Sequence, residues 1–174
     1  MKTIQFRTAT QADASAIARL VNRAYRPEEG AAGWTHEADL VAGDRVSVAQ
    51  VVDAIVHPHT AILLALQGNA VVATVQVEQH GRTGHIGMFA VLPVLQGVGV
   101  GRQLLGYAEQ YAVDCFGAEK WVMFVLSARH ELLAFYQRCG YQATGEVMDY
   151  PLLAGAGTPK LANLQVDILE KQVG

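Results

Sequence analysis

Cysteine is scarce in this chain: two residues in 174, Cys115 and Cys139, at a separation that makes no metal-binding spacing. Both fall among apolar positions of expected helices, which points to buried free thiols rather than a disulfide. No apolar run approaches the ~20 residues needed to span a bilayer. Net charge is −3 and dense basic clusters are missing. Nucleic acid and membrane are therefore not expected as partners. Met1 to Gln5 carries no apolar core of a secretion signal, so a cytoplasmic protein is expected. Repeats and low-complexity tracts are absent as well. The composition is 51% hydrophobic, enough for one domain over residues 1–174 with a substantial core.

The most informative stretch is Gln96-Gly97-Val98-Gly99-Val100-Gly101-Arg102. It follows an apolar run, Ile86 to Val91, that reads as a buried strand. It leads into Gln103-Leu104-Leu105, which opens an amphipathic helix. A strand, a glycine-rich turn and a helix N-terminus together suit an anion, because first-turn N–H groups point outward and the helix dipole adds positive charge there. Glycines remove the Cβ atoms that would hold a diphosphate away. A P-loop is excluded, since no lysine and hydroxyl residue follow Gly101. A dinucleotide fingerprint is disfavoured too: the glycines alternate as G-x-G-x-G, and the next strand runs into Ser127 rather than an acid.

Periodicity sets the frame around this loop. Thr3 to Arg7 reads as a strand, and Thr10 with Asp13 as a capping box for a helix that buries Ile17, Leu20, Val21 and Ala24. Ser47 with Gln50 starts a second helix. Ala61 to Leu66 and Ala70 to Glu78 form a hairpin about Gln67-Gly68-Asn69. Helix Val100 to Phe116 is expected to bury Val100, Leu104, Leu105, Ala108, Tyr111 and Cys115, with Gly117 as its stop. Trp121 to Leu126 is a buried strand and Glu131 to Cys139 a helix. Tyr141 to Met148 and Asn163 to Leu169 are strands around a Gly/Pro-rich loop. The fold class is therefore α+β: a mixed, largely antiparallel sheet of about seven strands with helices on both faces. The last strand, Asn163 to Leu169, is free in this reading to pair with a second copy and make a homodimer.

The spacing Gln96-x-x-Gly99-x-Gly101 resembles the Q/R-x-x-G-x-G/A signature of the GNAT acetyltransferase superfamily, and the order of elements is similar over nearly the whole chain. The resemblance implies that Gln96, Gly97, Val98, Gly99, Val100 and Gly101 hold the pyrophosphate of acetyl-coenzyme A as co-substrate. Arg102 either adds charge there or is a solvated helix-start residue. The preceding strand end, Phe89-Ala90-Val91, is implied to offer backbone groups to the pantetheine arm and the acetyl carbonyl. The element Leu132 to Tyr141 resembles the family's L-Y-x-x-x-G-F/Y segment, which implies that Tyr136 protonates the departing thiolate. A phenol with a pKa near 10 holds that proton at neutral pH. Tyr141 reads as a packing residue.

A base must take the proton of the attacking amine. His85 lies on the strand before the loop and, by alternation, on the face of Gly87, Phe89 and Val91. Arylalkylamine acetyltransferases are similar there, with a pair of histidines of which only His85 is matched. Glu78 is an equal alternative. The segment Gly33-Trp34-Thr35-His36-Glu37-Ala38-Asp39-Leu40 resembles a bacterial GNAT subgroup that carries the same string. Trp34 beside Glu37 and Asp39 would suit a cationic amine by stacking and charge.

The resemblance thus implies an acetyl-coenzyme A-dependent N-acetyltransferase that acts on a small-molecule primary amine by direct attack in a ternary complex. Neither cysteine sits at the loop, which disfavours an acyl-enzyme. The donor is acetyl or a slightly longer acyl group. The alternative is a non-catalytic acyl-coenzyme A sensor of the same fold.

Overall fold

The computed structural model describes residues 3–26, 40–151, 157–160 and 163–174. Strand β1 (Ile4–Thr8) leads through a 3-10 turn (Gln11–Asp13) to helix α1 (Ala14–Tyr25). A short strand, β2 (Val41–Ala42), precedes α2 (Val48–Val56). Strands β3 (Thr60–Gln67), β4 (Ala70–His80) and β5 (Thr83–Val91) follow, then α3 (Val100–Phe116), β6 (Lys120–Leu126) and α4 (His130–Arg138). Strands β7 (Gln142–Asp149), β8 (Thr158–Pro159) and β9 (Gln165–Gln172) complete the described chain.

Seven strands form one sheet in the order β1-β3-β4-β5-β6-β9-β7, and β2 pairs with β8 apart from it. Only the β5–β6 pairing in the large sheet is parallel. Strand β3 shows why both faces are covered. Its run Ala61–Leu66 is buried at every position, the mark of a strand with helices above and below. Leu63 packs with Val75, Leu104 and Leu105 on the α3 face, while Ile62 and Leu64 pack with Ile17, Val21 and Val51 on the α1–α2 face.

Local signals account for the helix ends. Ser47 and Gln50 form a reciprocal capping box, with Gln50 N–H donating to Ser47 Oγ at 3.1 Å and Ser47 N–H to Gln50 Oε1 at 2.8 Å. At Thr10 the expected box forms as well: Thr10 N–H donates to Asp13 Oδ2 at 2.8 Å, and the hydroxyl also donates to that carboxylate. Arg7 occupies both oxygens of Asp13, at 2.8 and 3.0 Å. Gly117 ends α3 in the left-handed region.

Three expectations are corrected. Cys115 is exposed and Cys139 half-buried, although both are free thiols. The buried stripe of α3 runs through Leu104, Leu105, Ala108, Glu109 and Ala112. Glu109 is inside because it is satisfied there: Tyr141 Oη donates to Oε2 at 2.7 Å and Lys171 Nζ to both oxygens at 3.1 Å. That cluster ties α3 to β9 and to the residue just before β7, so Tyr141 does more than fill space. The C-terminal strand is not free to pair with a second copy either. Strand β9 lies between β6 and β7, with both edges in use. Among the described residues no helix is long and apolar enough to cross a membrane.

Candidate active site

Strand β5 ends at Val91, and a 3-10 turn, Pro93–Leu95, brings the chain to the glycine run. Gln96 folds back so that its Nε2 donates to the Val91 carbonyl at 3.1 Å, bracing the loop against the strand. Gly97 and Gly99 have φ of +83° and +92°, a backbone that a side chain would strain. The first backbone bond of α3 runs from Gln103 N–H to Gly99 O at 3.1 Å. Amides before it in the turn have no intrahelical acceptor and point off the helix end. Gly101 serves packing: a Cβ there would stand 3.2 Å from both Phe89 Cζ and Val91 Cγ2.

A cavity of about 290 Å³ lies against this loop, walled by Gln96, Gly97, Gly99 and Gly101, by Phe89 and Val91 of β5, and by Leu132 and Phe135 of α4. Arg102, Arg129 and Arg138 complete it, and none of its lining side chains among the described residues is acidic. The guanidinium groups of Arg102 and Arg138 and a helix N-terminus make a donor set for phosphate oxygens, while Arg129 stands where this cavity meets a second one. Arg102 Nη2 lies 3.5 Å from the Arg138 carbonyl. Sequence reasoning missed Arg129 and Arg138. The available signal was position alone: Arg138 lies inside the L-Y-x-x-x-G segment and Arg129 three residues before Leu132.

The sheet opens beside this cavity. Between the pairs Thr74↔Ala90 and Gln76↔Gly87, one residue of β4 (Val75) faces two of β5 (Met88 and Phe89). Met88 adopts φ +48° in this bulge, and a bulge bends its strand. Pairing of β5 with β6 stops at Ile86↔Met123. Beyond it, Phe124, Val125 and Leu126 pair with β9. The β6-side edge of β5 from Gly87 to Val91 has no strand partner among the described residues, and Phe89, Ala90 and Val91 sit on it.

A second cavity, of about 530 Å³, fills the opening, and Phe89, Arg129 and Leu132 border both. Tyr136 of α4 lines this second space, 4% exposed, its ring centroid 6.2 Å from that of Phe89. Burial pushes the phenol well above its ordinary value, the Tyr25 phenol adds to this, and the Arg129 charge opposes it. Tyr136 is thus a protonated group at neutral pH. Glu78 and Gln76 of β4 line the same cavity, as do Met123 and Phe124 of β6.

The bulge also corrects the expected placement of His85. Ile86 packs on the α3 face, whereas Met88 and Ala90 pack on the α1–α2 face and Phe89 returns to the α3 side. One extra residue reverses the alternation, so His85 and Gly87 do not share a face with Phe89 and Val91. His85 stacks on His80 with centroids 3.9 Å apart, and burial lowers its pKa. It is not among the residues lining either cavity. Its register partner Glu78 does line one, and accepts from His80 Nε2 at 2.9 Å. Trp34, Glu37 and Asp39 lie outside the described residues.

Residues 16–141 match the family model described as the acetyltransferase (GNAT) family. The chain belongs to the GNAT acetyltransferase family. The matched span takes in the glycine loop, the open edge of β5 and Tyr136. A relative, the S-alkylcysteine N-acetyltransferase of Bacillus subtilis, is 29% identical over 145 residues, covering 79% of this chain and 78% of that one. Among solved structures, an N-acetyltransferase from Staphylococcus aureus superposes with a TM-score of 0.74 at 16% identity, covering 98% of this chain and 97% of that one. The ribosomal-protein-S18-alanine N-acetyltransferase of Escherichia coli gives 0.73 at 15% identity, covering 99% and 95%. At such identities the likeness is one of fold, and the mixed seven-stranded sheet of this GNAT chain is that fold.

Proposed function

We propose that the protein is an N-acetyltransferase that moves the acetyl group of acetyl-coenzyme A to a primary amine of a small molecule, by direct attack with both substrates bound. The observation that carries this reading is the junction of two cavities at Phe89, Arg129 and Leu132, with an anion cradle on one side and the protonated Tyr136 on the other. The relative named for S-alkylcysteine supports a small-molecule acceptor.

The residues fit acetyl-coenzyme A by the chemistry of their donors: loop amides with Arg102 and Arg138 for phosphate, and a strand edge without a strand partner among the described residues for an amide-bearing arm. When bound, that co-substrate supplies an acetyl thioester. A backbone N–H on the open edge of β5 steadies the carbonyl oxygen as charge develops. Glu78, facing the second cavity, takes the proton that the amine must shed, directly or through water. The C–N bond forms as the C–S bond breaks, and the Tyr136 hydroxyl returns a proton to the sulfur. Neither cysteine lines either cavity, which supports transfer without an acyl-enzyme.

Thermal-shift measurements with acetyl-coenzyme A, coenzyme A, NAD and ATP, followed by thiol release with an amine panel, test the proposal. Stabilisation by the coenzyme A species alone and amine-dependent thiol release are expected. Stabilisation by NAD or ATP instead, or binding without turnover of any amine, would overturn it.

A further inference from the structure

The second cavity is charged in a way that selects its occupant. Among its described lining residues the charged side chains are Arg45, Arg129 and Glu78. The two guanidinium groups converge on one ring: Arg45 Cζ lies 5.4 Å and Arg129 Cζ 5.9 Å from the centroid of Tyr25. They come from separate parts of the chain, ahead of α2 and at the cap of α4, so the fold itself brings them together. Arg129 is 3% exposed, and a cation so far from water interacts strongly with charge in the cavity beside it. Much of the remaining wall is apolar, from Met88, Met123, Val125, Leu126, Met148 and Val166.

We propose that the acceptor carries a carboxylate next to its amine, as an α-amino acid with an apolar side chain does, and that Arg45 and Arg129 hold that carboxylate. This rests on the acetyltransferase reading above and names its substrate class. The nucleophilic form of such an acceptor has a neutral amine and one negative charge. The described lining groups sum to one positive charge, so the two are complementary. The ammonium form that arrives first meets Glu78, which stands on β4, away from the segments that carry the arginines. A polyamine brings only positive charge to two guanidinium groups, and an amino-acid amide leaves them facing a neutral group. Both are discriminated against.

The test is thiol release from acetyl-coenzyme A with L-methionine, L-methioninamide and spermidine, in the wild type and in Arg45→Gln. Arg45 borders only the acceptor cavity, so coenzyme A binding, followed by thermal shift, reports separately on the fold and the other site. The expected kcat/KM for L-methionine exceeds that for its amide by about 100-fold, carried mainly by KM. Arg45→Gln is expected to shrink that ratio by about tenfold while coenzyme A still stabilises the protein. Equal or better use of the amide or of spermidine, or a ratio untouched by Arg45→Gln, would overturn the proposal and leave the acetyltransferase reading standing. Absence of both coenzyme A stabilisation and thiol release would overturn that reading, and this inference with it.

Discussion

Tyr136 carries the sharpest residue-level prediction. Buried and pushed upward in pKa, it holds a proton across the neutral range. Tyr136→Phe keeps the ring and removes only that proton, so kcat is expected to fall by roughly 100- to 10,000-fold. The KM for acetyl-coenzyme A should barely move. Steady-state thiol release decides it, and unchanged turnover would place the proton donor elsewhere. The positions of Tyr136 and the loop glycines beside the cavities were readable from the sequence, because these residues belong to spaced motifs. Arg45, Arg129 and Glu109 were not. An isolated arginine or a helical glutamate reads as solvated surface, and only tertiary contacts reveal that Arg129 is buried or that Glu109 meets Tyr141 and Lys171.

The glycine turn and the strand beneath it work as one element. Gly101→Val would press its side chain against Phe89 and Val91, already 3.2 Å from a single Cβ. A loss of about 1–3 kcal/mol in urea unfolding is expected, together with weaker coenzyme A binding, because Phe89 borders both cavities. A variant that unfolds and binds like the wild type would show that helix and strand are not tightly seated. At the first strand–helix junction, Arg7 holds Asp13 down to about 2, below its ordinary 3.8. A lowered carboxylate pKa stabilises the fold above the unfolded value and loses that contribution as pH falls from about 4 towards 2. Arg7→Ala should therefore flatten the pH dependence of the urea midpoint across that window. A wild-type slope persisting in the variant would refute the pairing. Strands and caps were legible from apolar runs and Ser47-x-x-Gln50. The bulge at Met88 was less so: Gly87 stands beside it, but a glycine within a strand marks a bulge only loosely, and this one inserted residue misled the placement of His85.

Across the whole molecule, the decisive feature is a sheet that separates beyond Ile86↔Met123, leaving one strand edge and two adjoining cavities. The fold class followed from the order of apolar runs. The seating of β9 between β6 and β7 depends on pairings between distant segments, which no local pattern encodes. The central claim is that amides of the 97–102 turn and the open edge of β5 receive the phosphates and arm of coenzyme A. Backbone amide chemical shifts recorded during a coenzyme A titration test this most directly. The account predicts saturable changes, largest at Gly97 to Arg102 and at Phe89 to Val91. Saturation with the largest changes elsewhere, and those amides unmoved, would contradict it.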